Sequence, residues 1–85
     1  MRKENFIMSK KEDLLKEIAV VKEELAELEQ KRLRSQASLM ESLIDKEEPK
    51  EQEKSYFKTL SSLIKLQREK LQMLTDELQL MKDQK

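Results

Sequence analysis

The sequence predicts an all-α fold: an antiparallel two-helix coiled-coil hairpin, assembled into a helical bundle by oligomerisation or with a partner. Three observations carry this reading. Charged residues make up 42% of the 85-residue chain, glycine is absent and proline occurs once, which is the composition of long helices. Apolar residues recur three and four positions apart in two long stretches, the spacing that holds one stripe against a neighbouring helix. A single polar segment, DKEEPKEQEKS at residues 45–55, separates the stretches and contains the proline. Disorder is the competing reading of so charged a chain, but it goes with a large net charge and no apolar period, whereas here 18 basic groups balance 18 acidic ones.

Residues 1–8 read as an N-terminal tail. Ser9-Lys10-Lys11-Glu12 has the form of a capping box, in which a serine hydroxyl and a glutamate carboxylate satisfy the free amides of a first helical turn, so helix 1 is expected over residues 9–45. Its seam begins with Leu14, Ile18, Val21, Leu25 and Leu28. Continued strictly, that register places Arg32, Ser35 and Ser42 on the seam with only Leu39 apolar. Leu33, Ala37, Met40 and Ile44 make a better stripe one position later, which amounts to a stutter at residues 30–34.

A turn is expected at residues 46–48, with Pro49 opening helix 2 over residues 49–84, because proline is tolerated in a first turn and breaks an interior one. Helix 2 has the more regular pattern: Phe57, Leu60, Ile64, Gln67, Leu71, Leu74, Leu78 and Met81 alternate three and four apart with one polar member. Both helices would run roughly 55 Å at about 1.5 Å per residue, and matched lengths around a short turn predict a hairpin. One long helix kinked at Pro49 shows the same periodicity. Folding about residue 47 sets Phe57 near Ala37, Leu60 near Leu33, Leu71 near Val21, and Leu78 and Met81 near Leu14. Gln67 falls close to Leu28 and Arg32, a polar layer that would pin the register.

A two-helix hairpin needs one seam per helix, yet helix 2 carries a second row, Tyr56, Leu63, Leu66, Met73 and Leu80. Helix 1 carries Leu15, Ala19, Val20 and Ala26 beside its seam, with Leu43 at the far end. Burying five such large side chains contributes on the order of 5–10 kcal/mol before entropy is subtracted, comparable to the net stability of a small domain. The expected function is therefore a non-enzymatic interaction or scaffold subunit. Its seam works internally, and Leu63, Leu66, Met73, Leu80, Leu15 and Val20 meet the partner, which is a second copy in a dimer or tetramer, a larger helical protein, or both.

Chemistry is not expected. With no histidine, cysteine or glycine, imidazole and thiolate catalysis, the usual zinc and haem ligand sets and a glycine-rich phosphate loop are all excluded. Glu23, Glu24, Glu27 and Glu29 lie among lysines and read as a solvated face, so neither a metal nor another cofactor nor a small-molecule substrate is expected. The alternative function is a small regulator that grips nucleic acid through Lys31, Arg32 and Arg34. Against it, the Glu27–Lys31 and Glu29–Arg32 spacings make ordinary helix-surface ion pairs, and no aromatic residue stands near in sequence to stack on bases. Arg32-Leu33-Arg34-Ser35-Gln36 has the form of a basophilic kinase site, placing Ser35 near the stutter, where a phosphate would disturb packing. Ser35-Gln36 also resembles the start of the Ser-Gln-Glu-Leu-Asp signature of the short helical phosphatases of the bacterial sporulation phosphorelay, but Ala37, Ser38 and Leu39 replace the rest and no function carries over.

The halves are each close to neutral, with nine basic and ten acidic groups in residues 1–45 and nine and eight in residues 46–85, so neither is a nucleic-acid arm or an acidic tail. The longest apolar runs are too short to span a bilayer, and a chain without cysteine fits a reducing compartment. A soluble intracellular protein, cytoplasmic or nuclear, is expected, with Phe6-Ile7-Met8 folding over the open end of the bundle near Leu78 and Met81.

Overall fold

The computed structural model describes residues 3–83, and side chains from residue 9 onward. Two helices account for nearly all of it: α1, Lys3–Ile44, of 42 residues, and α2, Glu51–Asp83, of 33 residues. They fold back on one another as an antiparallel hairpin of 66 × 16 × 15 Å.

α1 begins six residues before the expected Ser9 start. Nothing between Lys3 and Ser9 stops a helix, since glycine and proline are both missing there, and a capping box matters only where a helix end needs one. Phe6, Ile7 and Met8 therefore continue the helical backbone of α1. The expected packing of their side chains over the open end near Leu78 and Met81 lies outside the described residues. The remainder of the expected tail, residues 1 and 2, and the expected helix end at residue 84 lie outside the described residues.

α1 ends without glycine. Lys46 takes the left-handed conformation, φ 59°; its amide donates to the Leu43 carbonyl at 3.1 Å, and the Glu47 amide donates to the Ser42 carbonyl at 2.8 Å. These two bonds form a Schellman cap with Lys46 at the position that usually holds glycine. A side chain there costs about 1 kcal/mol. Lys46→Gly is accordingly expected to raise stability by roughly 0.5–1 kcal/mol, the strain relief being partly offset by the freer unfolded chain, and thermal melts by circular dichroism would show it as a gain of several degrees. A lower melting temperature would mean that this cap does not form in solution.

α2 starts two residues later than expected. The amides of Glu53 and Lys54 both donate to the Lys50 carbonyl, at 3.0 and 3.2 Å, so Lys50 caps the helix and Pro49 stands just outside it. Proline disfavours helical geometry in the residue before it, which keeps Glu48 in the connection. Glu51 and Glu53 occupy the first turn of α2, where carboxylates favour the helix dipole.

Leu14, Ile18, Val21, Leu74 and Leu78 form the buried core cluster, with Leu71 and Met81 packed on it. Leu71, Val21, Leu78, Met81 and Leu14, expected to meet across the hairpin, all belong to this one cluster or pack on it. The second half of α1 departs from expectation. There is no stutter: Leu25, Leu28, Arg32, Leu39 and Ser42 are half-buried and Ser35 is buried, which continues the strict register of Leu14. Leu33 is 66% exposed and Met40, Ile44 and Ala37 are exposed as well. Phe57 and Leu60 therefore do not meet Ala37 and Leu33. The reason lies in α2, whose heptad runs unbroken through half-buried Phe57, buried Leu60 and buried Ile64. A partner with a regular seam is met by a regular seam, whereas moving α1 on by one residue would swing its stripe about 100° around the helix, away from α2.

Gln67 sits half-buried in that seam. Its Nε2 donates to Glu24 Oε2 at 3.2 Å, while its Oε1 is buried with no partner among the described residues, a deficit of about 1–3 kcal/mol. Glu29, expected to pair along α1 with Arg32, instead reaches across to Arg68 at 3.3 Å. The side chains of both partners are about half exposed, so it contributes at most about 1 kcal/mol.

Candidate interaction surface

With a strict heptad on both helices, every side chain has a defined place. Seam residues occupy positions a and d. In an antiparallel pair, the e positions of the two helices flank one side of the seam and the g positions flank the other. Two observations fix the sides here. Glu29 and Arg68, both at e, join across one face at 3.3 Å. On the opposite face Tyr56, at g of α2, lines a shallow groove with Lys31, Arg34 and Ser38 of α1.

The second row of α2 is exposed along its whole length: Tyr56, Leu63, Leu66, Met73 (72% exposed) and Leu80. These residues fall at c and g, and so on the g face. In α1 the outer apolar residues Leu15, Leu33, Met40 and Leu43 are exposed, as are Ala19 and Ala26. These fall at b and e, and so on the e face. Val20, also exposed, falls at c and belongs with the α2 row, apart from Leu15. The hairpin thus presents two apolar rows on opposite faces, one from each helix. Leu33 and Met40 belong to the α1 row; periodicity alone assigned them to the seam, and the signal that recovers them is the unbroken heptad of α2.

The basic cluster does not form one patch. Arg32 is half-buried in the seam and lines a groove with Ser61, Ile64, Lys65 and Arg68, while Lys31 and Arg34 stand on the other face beside Tyr56 and Glu53. Tyr56 is the aromatic neighbour missing from the local sequence. Ser35 is 9% exposed, buried between the helices where a kinase would not reach it without opening the hairpin.

Among the described residues there is no group of three or more acidic side chains placed to hold a metal ion, and no helix long and apolar enough to cross a membrane. The surface depressions are shallow grooves between the helices or along one of them. Comparison of the chain with protein-family models, with curated proteins and with solved structures finds no match.

Proposed function

We propose that this chain is a non-enzymatic assembly subunit, a rigid helical hairpin whose outer apolar rows seat other helices. The observation that carries the reading is the α2 row: Leu63, Leu66, Met73 and Leu80 stay exposed although the seam of the same helix, from Phe57 to Met81, already meets α1. Scattered surface leucines need no explanation. A row is different: Leu66, Met73 and Leu80 repeat every seven residues, so they keep one heptad position and line up along one side of α2 with Leu63 beside them. Each large side chain covered by a partner contributes about 1.5–3 kcal/mol, so four of them supply about 6–12 kcal/mol, of the same order as the entropic cost of binding.

Leu66→Glu with Met73→Glu tests this directly. Because both side chains are exposed in the hairpin, the double variant is expected to keep its helical circular dichroism while losing association in sedimentation equilibrium. Helix lost together with association would mean that the row stabilises the hairpin itself, and the reading would fall.

A further inference from the structure

We infer that the occupant of both rows is a second copy of this chain, docked face to back, with the e face of one hairpin on the g face of the next. The inference rests on the assembly reading above and adds the partner and the geometry. Charge decides it. On the e face, beside the apolar row of α1, the b and e positions of α2 carry Lys54, Lys58, Lys65, Arg68 and Lys82, with Glu51 the acidic exception. On the g face, beside the apolar row of α2, the c and g positions of α1 carry Asp13, Glu17, Glu24, Glu27 and Glu41, against Lys10, Lys31 and Arg34. One face is apolar beside basic and the other is apolar beside acidic.

Only one way of stacking satisfies both features. Two e faces brought together by a two-fold axis put either basic α2 on basic α2 or an apolar row on a charged one, and two g faces do the same with acid. Placing the g face of one copy on the e face of another, turned by half a revolution in the plane, lays the α2 row over the α1 row and the acidic side over the basic side. With the hairpin centres aligned, Leu80 falls over Met40 and Leu43, Met73 over Leu33, and Leu63 and Leu66 over Ala26. Lys65 then falls over Glu24 and Glu27, and Lys82 over Glu41. Such a contact is heterologous, so each copy keeps one free face and the stack grows.

The experiment uses two full-length variants, each lacking one row: Leu66→Glu/Met73→Glu, and Leu33→Glu/Met40→Glu. All four side chains are exposed, so both variants should keep the wild-type helicity, which circular dichroism checks. Sedimentation equilibrium of the wild type is expected to show mass growing with concentration beyond a dimer. Each variant alone should be monomeric. An equimolar mixture should give a one-to-one dimer that grows no further, because only one intact pair of faces remains. Raising sodium chloride from low to high concentration should weaken wild-type association on the order of tenfold or more, as charges near the surface are screened. A variant that dimerises alone, a mixture that stays monomeric, or a monomeric wild type would each overturn the inference. The assembly reading falls on a different result, helicity lost together with the row; a monomeric wild type whose row variants stay helical would overturn self-docking and leave the rows to a different helical protein.

Discussion

Ile64→Ala is expected to destabilise the hairpin by about 3 kcal/mol, within the range for removing a buried isoleucine side chain and leaving its cavity. Ile64 is the most completely buried side chain of α2, at 0% exposure, and it lies in the half of the seam where α1 offers Arg32 and Ser35 in place of leucines. Few apolar neighbours are left there to collapse into the gap. For a domain of this size the loss corresponds to roughly 15 °C in melting temperature. Ile44→Ala is the matched control, with the same chemistry at 77% exposure, and should change stability by no more than about 0.5 kcal/mol. The pair also separates the two registers of α1, since a stutter would bring Ile44 into the seam. Equal losses at the two positions, measured by chemical denaturation at one protein concentration, would reject the strict heptad.

Much of this architecture could be read from the residues, and the failures have a common cause. Each apolar seam position of α2 named from periodicity, Phe57 through Met81, is buried or half-buried, and so are Leu14 through Leu28 of α1. The reading failed where one helix was considered without the other. Leu33, Ala37, Met40 and Ile44 are more apolar than Arg32, Ser35 and Ser42, so a count within α1 prefers them, but α2 can only meet a seam that continues its own heptad. The helix ends failed for a related reason. Ser9 has the chemistry of a cap, yet a cap matters only where a helix stops, and no residue before it stops one. Lys46 carries no turn signal at all; the left-handed position falls to it because the chain has no glycine to offer. The two outer rows were visible as rows, but whether they share a face depends on how the helices fold together, which the periodicity of a single helix does not contain.

The same departure divides the hairpin into unequal halves. At the open end Leu14, Ile18, Val21, Leu71, Leu74, Leu78 and Met81 pack in one apolar cluster. Gln67, with its unpartnered Oε1, marks the boundary, and beyond it Leu60 and Ile64 face a seam that holds Arg32, Ser35 and Ser42. Local stability follows apolar contact density, so the connection-proximal half is expected to show the lower amide-exchange protection. It is also the half in which α1 turns Leu33 and Met40 outward, which links the polar stretch of the seam to the surface proposed for docking.

Repairing that seam gives the largest expected gain. Arg32→Leu with Ser35→Leu should stabilise the hairpin by about 1–3 kcal/mol: a fully buried leucine contributes about 1.5–3 kcal/mol, position 32 is only half-buried, and lost rotamer freedom and the covered stem of Arg32 reduce the sum. Arg32 has no ion-pair partner among the described residues, so its removal strands no buried carboxylate. Ser35 is the tighter site, and overpacking there would cost about 1–3 kcal/mol. Ser35→Ala in place of Ser35→Leu, with Arg32→Leu retained, separates that outcome from a wrong register. Chemical denaturation reads the gain, and amide exchange should show the added protection concentrated in α1 beyond residue 30. Because leucines at 32 and 35 make the strict register apolar throughout, they also hold Leu33 and Met40 on the outer face, and association should persist in the repaired chain. A repaired hairpin that is more stable but no longer associates would mean that docking requires α1 to leave the strict register, turning Leu33 and Met40 toward the seam.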